Sequence, residues 1–214
     1  MASIRSRIRG GESATLEYKS TCPEPARLAR ILCAFANGDG GEIAIGISNS
    51  GEPVGVEDPA AERATVEQAI HLVEPELDVE IETAVHEFRD FVFVTVRPTE
   101  FPGFCAVQDD SRNGTVYVRM LSETRPLDPD LVKEATRLRR RYGGDRTLDA
   151  DASKLVTWLW TKGEAKEQAC AKRFNFSSHR LRKLAEATIG TGHVIHCRHG
   201  DGRSYLALRP ATAR

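Results

Sequence analysis

No run of apolar residues here approaches the roughly 18 that cross a bilayer as a helix, so no membrane span or membrane partner is expected. Met1–Gly10 carries Arg5, Arg7 and Arg9 but no apolar stretch follows them, so it does not read as a secretory signal. It reads instead as a solvated terminus, with a short basic tail touching nucleic acid as the alternative. The cysteines, Cys22, Cys33, Cys105, Cys170 and Cys197, are odd in number, widely spaced and free of any C-x-x-C pair. That pattern argues against a disulfide framework or a zinc site and for a reducing, cytoplasmic compartment. Neither G-x-x-x-x-G-K-[ST] nor a G-x-G-x-x-G opening a helix occurs, which sets nucleotide hydrolysis aside. The histidines (His71, His86, His179, His193, His196, His199) lack metal spacing with carboxylates, and no Ser-His-Asp or Cys-His arrangement is visible. Internal repeats and low-complexity segments are absent as well.

What remains is an ordinary globular composition, 40% hydrophobic and 29% charged over 214 residues. A chain of that length can bury a real core without disulfides or metals. At roughly 100–200 residues per domain it forms one large domain or two small ones. The net charge of −1 hides an asymmetry. Asp149–Arg214 holds 12 Lys+Arg against 6 Asp+Glu, a net of +6, while the other 148 residues hold 18 against 25, a net of −7. Such a split points to a nucleic-acid-binding part, although a plain solvated surface carries the same signature.

The patterning predicts an α+β fold for residues 1–127. Ala14–Tyr18 reads as a strand. Leu28, Ile31, Leu32, Phe35 and Ala36 give Pro25–Asn37 a helical apolar face, with Cys33 in the core, and Gly38-Asp39-Gly40-Gly41 ends it. Glu42–Ile47 is a strand, and Asn49-Ser50-Gly51 turns into Pro53–Val56 as a hairpin. A helix follows over Glu62–Val73, then paired strands Val79–Glu87 and Phe91–Arg97, and a strand over Thr115–Met120. Residues 128–148 read as a basic linker helix, Asp128–Tyr142, ending in Arg137-Leu138-Arg139-Arg140-Arg141. Gly143-Gly144-Asp145 breaks it, and the domain boundary falls near residues 143–150.

Residues 149–214 read as a winged helix-turn-helix: helices over Ser153–Lys162, Glu164–Arg173 and Ser178–Thr188, then strands His193–Arg198 and Ser204–Leu208. Ser177 or Ser178 can cap the third helix. Such a helix lies in the DNA major groove. Its outward positions are His179, Arg180, Arg182, Lys183 and Glu186. Arginine can bond guanine bidentately, and lysine or arginine can hold phosphates. Arg198, His199 and Arg203 flank the wing, and His193, His196 and His199 are read as wing residues. A protein-interaction module with a solvated basic face is the alternative.

One string is distinctive: Ala34-Phe35-Ala36-Asn37-Gly38-Asp39-Gly40-Gly41-Glu42-Ile43-Ala44-Ile45-Gly46-Ile47. Glu17-Tyr18-Lys19 precedes it and Gly51-Glu52-Pro53-Val54-Gly55-Val56 follows. Later come Tyr117-Val118-Arg119, Ser122 and Thr124. Together these resemble the Schlafen AlbA_2 family, also called divergent AAA_4, over roughly Gly11 to Pro126. Gly38, Gly40 and Gly41 permit positive φ and close backbone approach, Asn37 tolerates the same region and can bond neighbouring backbone, and Gly46 suggests close packing or a bulge. Gly38–Gly41 follows a helix, so it lacks the helix N-terminus that binds phosphate. Lys19, polar on an alternating strand, is a candidate nucleic-acid contact.

The resemblance implies two functions. Bacterial members are associated with DNA binding and regulation, often with a C-terminal helix-turn-helix. Some animal Schlafens cut tRNA and rRNA with three acids around a divalent metal, the first two matching Glu12 and Glu17. Such a pair could hold Mg²⁺ or Mn²⁺ for phosphodiester hydrolysis. The third acid is missing, since its place reads Ser48-Asn49-Ser50. The preferred expectation is a non-enzymatic DNA-binding transcriptional regulator, without cofactor and homodimeric. A metal-dependent RNA nuclease and an adaptor without nucleic-acid contact are the alternatives.

Overall fold

The computed structural model describes residues 4–100, 102–110, 113–142, 147–199 and 202–211. The expected break at Gly143-Gly144-Asp145 lies outside them. The fold is mixed α+β and divides into two compact units, Met1–Thr99 with Cys105–Thr124, and Glu100–Phe104 with Arg125–Arg214.

The first unit runs α1 (Ile4–Arg7), β1 (Leu16–Lys19), α2 (Pro25–Ala36), β2 (Gly41–Ile45), α3 (Pro59–Ile70), β3 (Val73–Glu74), β4 (Val79–His86), β5 (Arg89–Val96), β6 (Ala106–Val107) and β7 (Tyr117–Met120). β8 (Glu123–Pro126) crosses the division and pairs with β7. The main sheet has the order β1-β2-β5-β4, parallel between β1 and β2 and antiparallel elsewhere. Both faces of its middle are covered, which explains the unbroken burial of Phe91–Val94 in β5. Ile43, Ile45, Val92 and Val94 join Leu28, Leu32 and Phe35 of α2 in one cluster. Residues of opposite parity, Ala44, Phe91 and Phe93, join Ile4 and Tyr18 in another.

Three sequence expectations change here. Pro53–Val56 is not a hairpin strand; Ile47–Pro53 and Val56–Asp90 are single bridges. Pro53 has no amide to donate, and the Val54 and Gly55 amides both donate to the Gly46 carbonyl. The second helix begins earlier, because Asp58 accepts bonds from the Ala60 and Ala61 amides and caps it. Arg7 is not a solvated tail residue. Its guanidinium lies 3.8 Å from the Phe93 ring centroid and binds Glu42 and Glu82.

The glycine string builds the fold. Gly40 has φ +75°, with the Val96 carbonyl 2.7 Å from where a Cβ would sit. A Cβ on Gly41 would lie 2.5 Å from the Phe35 ring. Gly41→Ala is therefore expected to destabilise the first unit by about 1–3 kcal/mol through overpacking. Thermal melting checks this, and an unchanged midpoint would mean that Phe35 can move aside.

The second unit runs α4 (Pro129–Tyr142), α5 (Ala150–Lys162), β9 (Glu164–Lys166), α6 (Glu167–Phe174), α7 (Ser178–Gly190), β10 (Val194–His199) and β11 (Gly202–Ala207). Its sheet has the order β10-β11-β9. The helix expected over Glu164–Arg173 begins only at Glu167, because Glu164, Ala165 and Lys166 pair with Leu206, Tyr205 and Ser204. Partners forty residues away override the local helical pattern. Leu155, Val156, Leu159, Leu181, Ala185, Ile189, Val194, Ile195, Tyr205 and Leu206 are buried. The basic helix α4 packs on α7 and β10 within this unit.

Candidate nucleic-acid interface

In the first unit the strand β1 carries Glu17-Tyr18-Lys19 into an ion cluster. Glu17 is only 8% exposed. Its Oε2 takes a bond from Arg119 Nη2 at 2.9 Å, and its Oε1 pairs with Lys19 Nζ. Arg119 is 5% exposed, donates also to the Ser13 carbonyl (2.9 Å) and Thr124 Oγ1 (3.1 Å), and lies over the Phe35 ring. Lys19 Nζ donates to the Tyr18 carbonyl as well. Glu12 accepts the Tyr18 amide at 3.0 Å. Tyr18 itself is buried, its hydroxyl donating to the Ile8 carbonyl, and burial raises its pKa.

A divalent ion does not fit these residues. Each Glu17 oxygen already faces a cation, and Glu12 is engaged by a backbone amide. Where a third acid would stand, Ser48 Oγ meets Ser50 Oγ at 2.8 Å and accepts the Glu52 amide. Among the described residues no three His, Cys, Asp or Glu side chains come together as a metal site.

In the second unit Asn175 takes the left-handed conformation, φ +53°, and ends α6. Ser177 caps α7, its Oγ accepting the Arg180 amide at 3.2 Å. Leu181 and Ala185 point inward, while His179, Arg180, Arg182, Lys183 and Glu186 are exposed. Arg180 pairs with Asp151 and stacks 4.6 Å from the Phe176 ring centroid. Arg182 Nε meets Glu167 Oε1 at 3.0 Å. Among the described residues, His179 and Lys183 have no hydrogen-bond or ion-pair partner. A groove of about 520 Å³ is lined by Lys166, Glu167, Ser178, Arg182 and Arg203, among others. Arg198 pairs with Asp128 at 3.3 Å. The His199 side chain lies outside the described residues.

The family model for Schlafen, AlbA_2 matches residues 12–128, more than half of the chain. The chain belongs to the Schlafen AlbA_2 family. No curated protein matches it. Among solved structures, it is similar to the N-terminal domain of a RecG-related protein from Nitrosomonas europaea, with a TM-score of 0.43 and 22% identity over 58% of this chain and 93% of that one. The DIP2311 protein of Corynebacterium diphtheriae gives 0.42 and 15% over 69% of this chain. The chain spans only 34% of that protein. Likenesses this distant carry no functional argument. No helix among the described residues is long and apolar enough to cross a membrane.

Two signature residues of the AlbA_2 domain act at long range. Asn37 is 1% exposed and right-handed, with φ −76°. Beside a contact to Cys33 Sγ at 3.4 Å, its side chain bonds distant backbone instead of neighbouring backbone. Its Nδ2 donates to the Cys105 and Tyr117 carbonyls, both at 2.9 Å, and its Oδ1 accepts the Cys105 amide at 2.7 Å. Arg119 partners Glu17 from 102 residues away. Only the family pattern signalled either residue, since no local spacing links such positions.

Two of the wing histidines, His193 and His196, turn inward. His193 Nδ1 meets Thr191 Oγ1 at 2.9 Å, and His196 Nδ1 lies 3.4 Å from Glu134 Oε2. Burial lowers the His196 pKa below 6.5, with Glu134 opposing and Arg203 adding to the shift. A lowered folded pKa means that the unfolded state takes up the proton first, so stability falls as pH drops below 6.5. Between about pH 7 and pH 5 the second unit should lose melting temperature, and His196→Gln should flatten that dependence. A slope unchanged by the substitution would assign it to other groups.

Proposed function

We propose that this AlbA_2 protein binds duplex DNA in transcriptional control, with residues 149–214 as a winged helix-turn-helix. The observation that carries this reading is the outer face of α7, with His179, Arg180, Arg182 and Lys183 exposed, beside a groove to which Lys166, Arg182 and Arg203 contribute cations and Glu167 an acid. The element order α5-β9-α6-α7 followed by the β10–β11 hairpin supports it. In this reading α7 enters the major groove. Arg180 and Arg182 address base edges, and Lys183, Arg198, His199 and Arg203 address phosphates. Asp151 and Glu167 hold the two arginines extended until phosphate or base oxygens replace them. Lys19 of the AlbA_2 domain is a secondary contact, since its ammonium is drawn to Glu17. In the same reading the protein is a homodimer that addresses paired half-sites.

The test is a titration of the full chain with labelled duplex DNA and with tRNA, each with and without Mn²⁺. Duplex binding without cleavage of either is expected. Arg180→Ala with Arg182→Ala should weaken duplex binding by about tenfold or more. Unchanged affinity would sink the assignment of α7 as the recognition helix. Mn²⁺-dependent cleavage by the parent chain, lost in a Glu17→Gln variant that still melts like the parent, would replace this reading with the nuclease.

A further inference from the structure

The run Arg137-Leu138-Arg139-Arg140-Arg141 is not explained by the α7 face. Its residues do different things. Leu131, Ala135, Leu138 and Arg139 are buried, and Arg139 donates to the Gly103 carbonyl at 3.1 Å and lies 3.9 Å from the Phe104 ring centroid. On the opposite face of α4, Lys133, Arg137, Arg140 and Arg141 are all exposed. Positions 133, 137, 140 and 141 follow the i, i+4, i+7, i+8 rule of one helix side. Lys133 pairs with Asp130 at 3.3 Å. Arg137, Arg140 and Arg141 have no ion-pair or hydrogen-bond partner among the described residues.

Like charges at i,i+3 and i,i+4 destabilise a helix. The helix dipole favours cations in the last turn, but Arg137 and Lys133 lie before it. Fold stability alone therefore leaves the stripe unexplained. The helix is also fixed in register on the unit that carries α7. Asp128, preceding its first turn, pairs with Arg198, and Glu134 pairs with His196. At its end a Cβ on Gly190 of α7 would lie 2.4 Å from the Tyr142 ring, so glycine there admits the tyrosine.

We infer that the exposed stripe of α4, Lys133, Arg137, Arg140 and Arg141, is a second contact with the phosphate backbone of duplex DNA. This rests on the DNA-binding reading above and widens its footprint beyond α7 and the hairpin. Four cations over a rise on the order of 12 Å can meet successive phosphates without reading bases. A membrane surface fits less well, because the apolar side of α4 is buried and an interfacial helix must expose one.

The experiment compares the full chain with Arg137→Ala/Arg140→Ala/Arg141→Ala and with the corresponding triple Lys variant. Affinity for a labelled duplex is followed from about 50 to 200 mM NaCl. The alanine variant should bind at least about tenfold more weakly at the low end, with a log–log salt slope shallower by about two to three. The lysine variant should retain the slope, because charge alone is required. Melting curves of all three proteins confirm folding. A parent chain that binds with a steep slope, and an alanine variant that matches it, would overturn the stripe while leaving α7 standing. Loss of binding to anionic lipid vesicles with the DNA slope intact would also overturn it, in favour of a membrane. A parent chain without duplex affinity would overturn both readings.

Discussion

Arg119→Met is expected to destabilise the AlbA_2 domain by about 3–5 kcal/mol, the effect of stranding one charge of a buried pair. The Glu17 carboxylate would keep only Lys19, in a position where its side chain is 10% exposed. The Ser13 carbonyl and Thr124 would lose a donor, and Phe35 its covering guanidinium. Chemical denaturation resolving the first of two transitions reads this directly. Adding Glu17→Gln should recover a large part of the loss, because the double variant buries no unpaired carboxylate. A shift below about 1 kcal/mol for Arg119→Met would place the pair in the class of exposed salt bridges. The prediction also bears on the nuclease alternative. A Glu17 variant with no activity would be uninformative until its folding had been measured.

Asn37→Ala comes next in size. One side chain satisfies three backbone groups of two distant segments, the Cys105 amide and the Cys105 and Tyr117 carbonyls. At about 1–3 kcal/mol for each buried group left unpaired, the loss should reach about 3 kcal/mol or more. Asn37→Asp separates geometry from chemistry. Its shape is kept, but an ionised carboxylate would face two carbonyl oxygens in a site 1% exposed. It should therefore fare worse at neutral pH than at low pH, where the protonated acid can donate. Urea unfolding at both pH values distinguishes the cases. An Asp variant indifferent to pH would contradict the bonding described.

The contrast between what was legible in the chain and what was not follows from range. The helix over Pro25–Ala36 announces itself by periodicity, because burial acts on every third or fourth residue, and the strand Arg89–Val96 by a continuous apolar run, because both its faces are covered. Ser177 as a cap and Cys33 as a core residue are local too. The AlbA_2 domain was legible as a spaced string, but the work of its members was not. Asn37 and Arg119 act across 68 and 102 residues, and no pattern within either segment encodes the partner. The strand Glu164–Lys166 escaped for the same reason, since its ladder is supplied by Ser204–Leu206. The histidines of residues 193–196 lie in a stretch buried without alternation, so no period marks them as inward, and their inward facing emerged only with Thr191 and Glu134 beside them. Of the basic residues, the sequence distinguishes number but not exposure: Arg139 is buried while Arg137 and Arg140 are exposed.

If the second unit meets duplex DNA through α7 and the hairpin largely by charge, salt must weaken the binding. The most direct measurement is the salt dependence of duplex binding by the full chain, compared with Lys183→Ala and with Arg203→Ala. Log affinity should fall linearly with log salt, and each substitution should reduce the slope by about one. An affinity insensitive to salt, or a slope that neither substitution changes, would contradict that mode of contact.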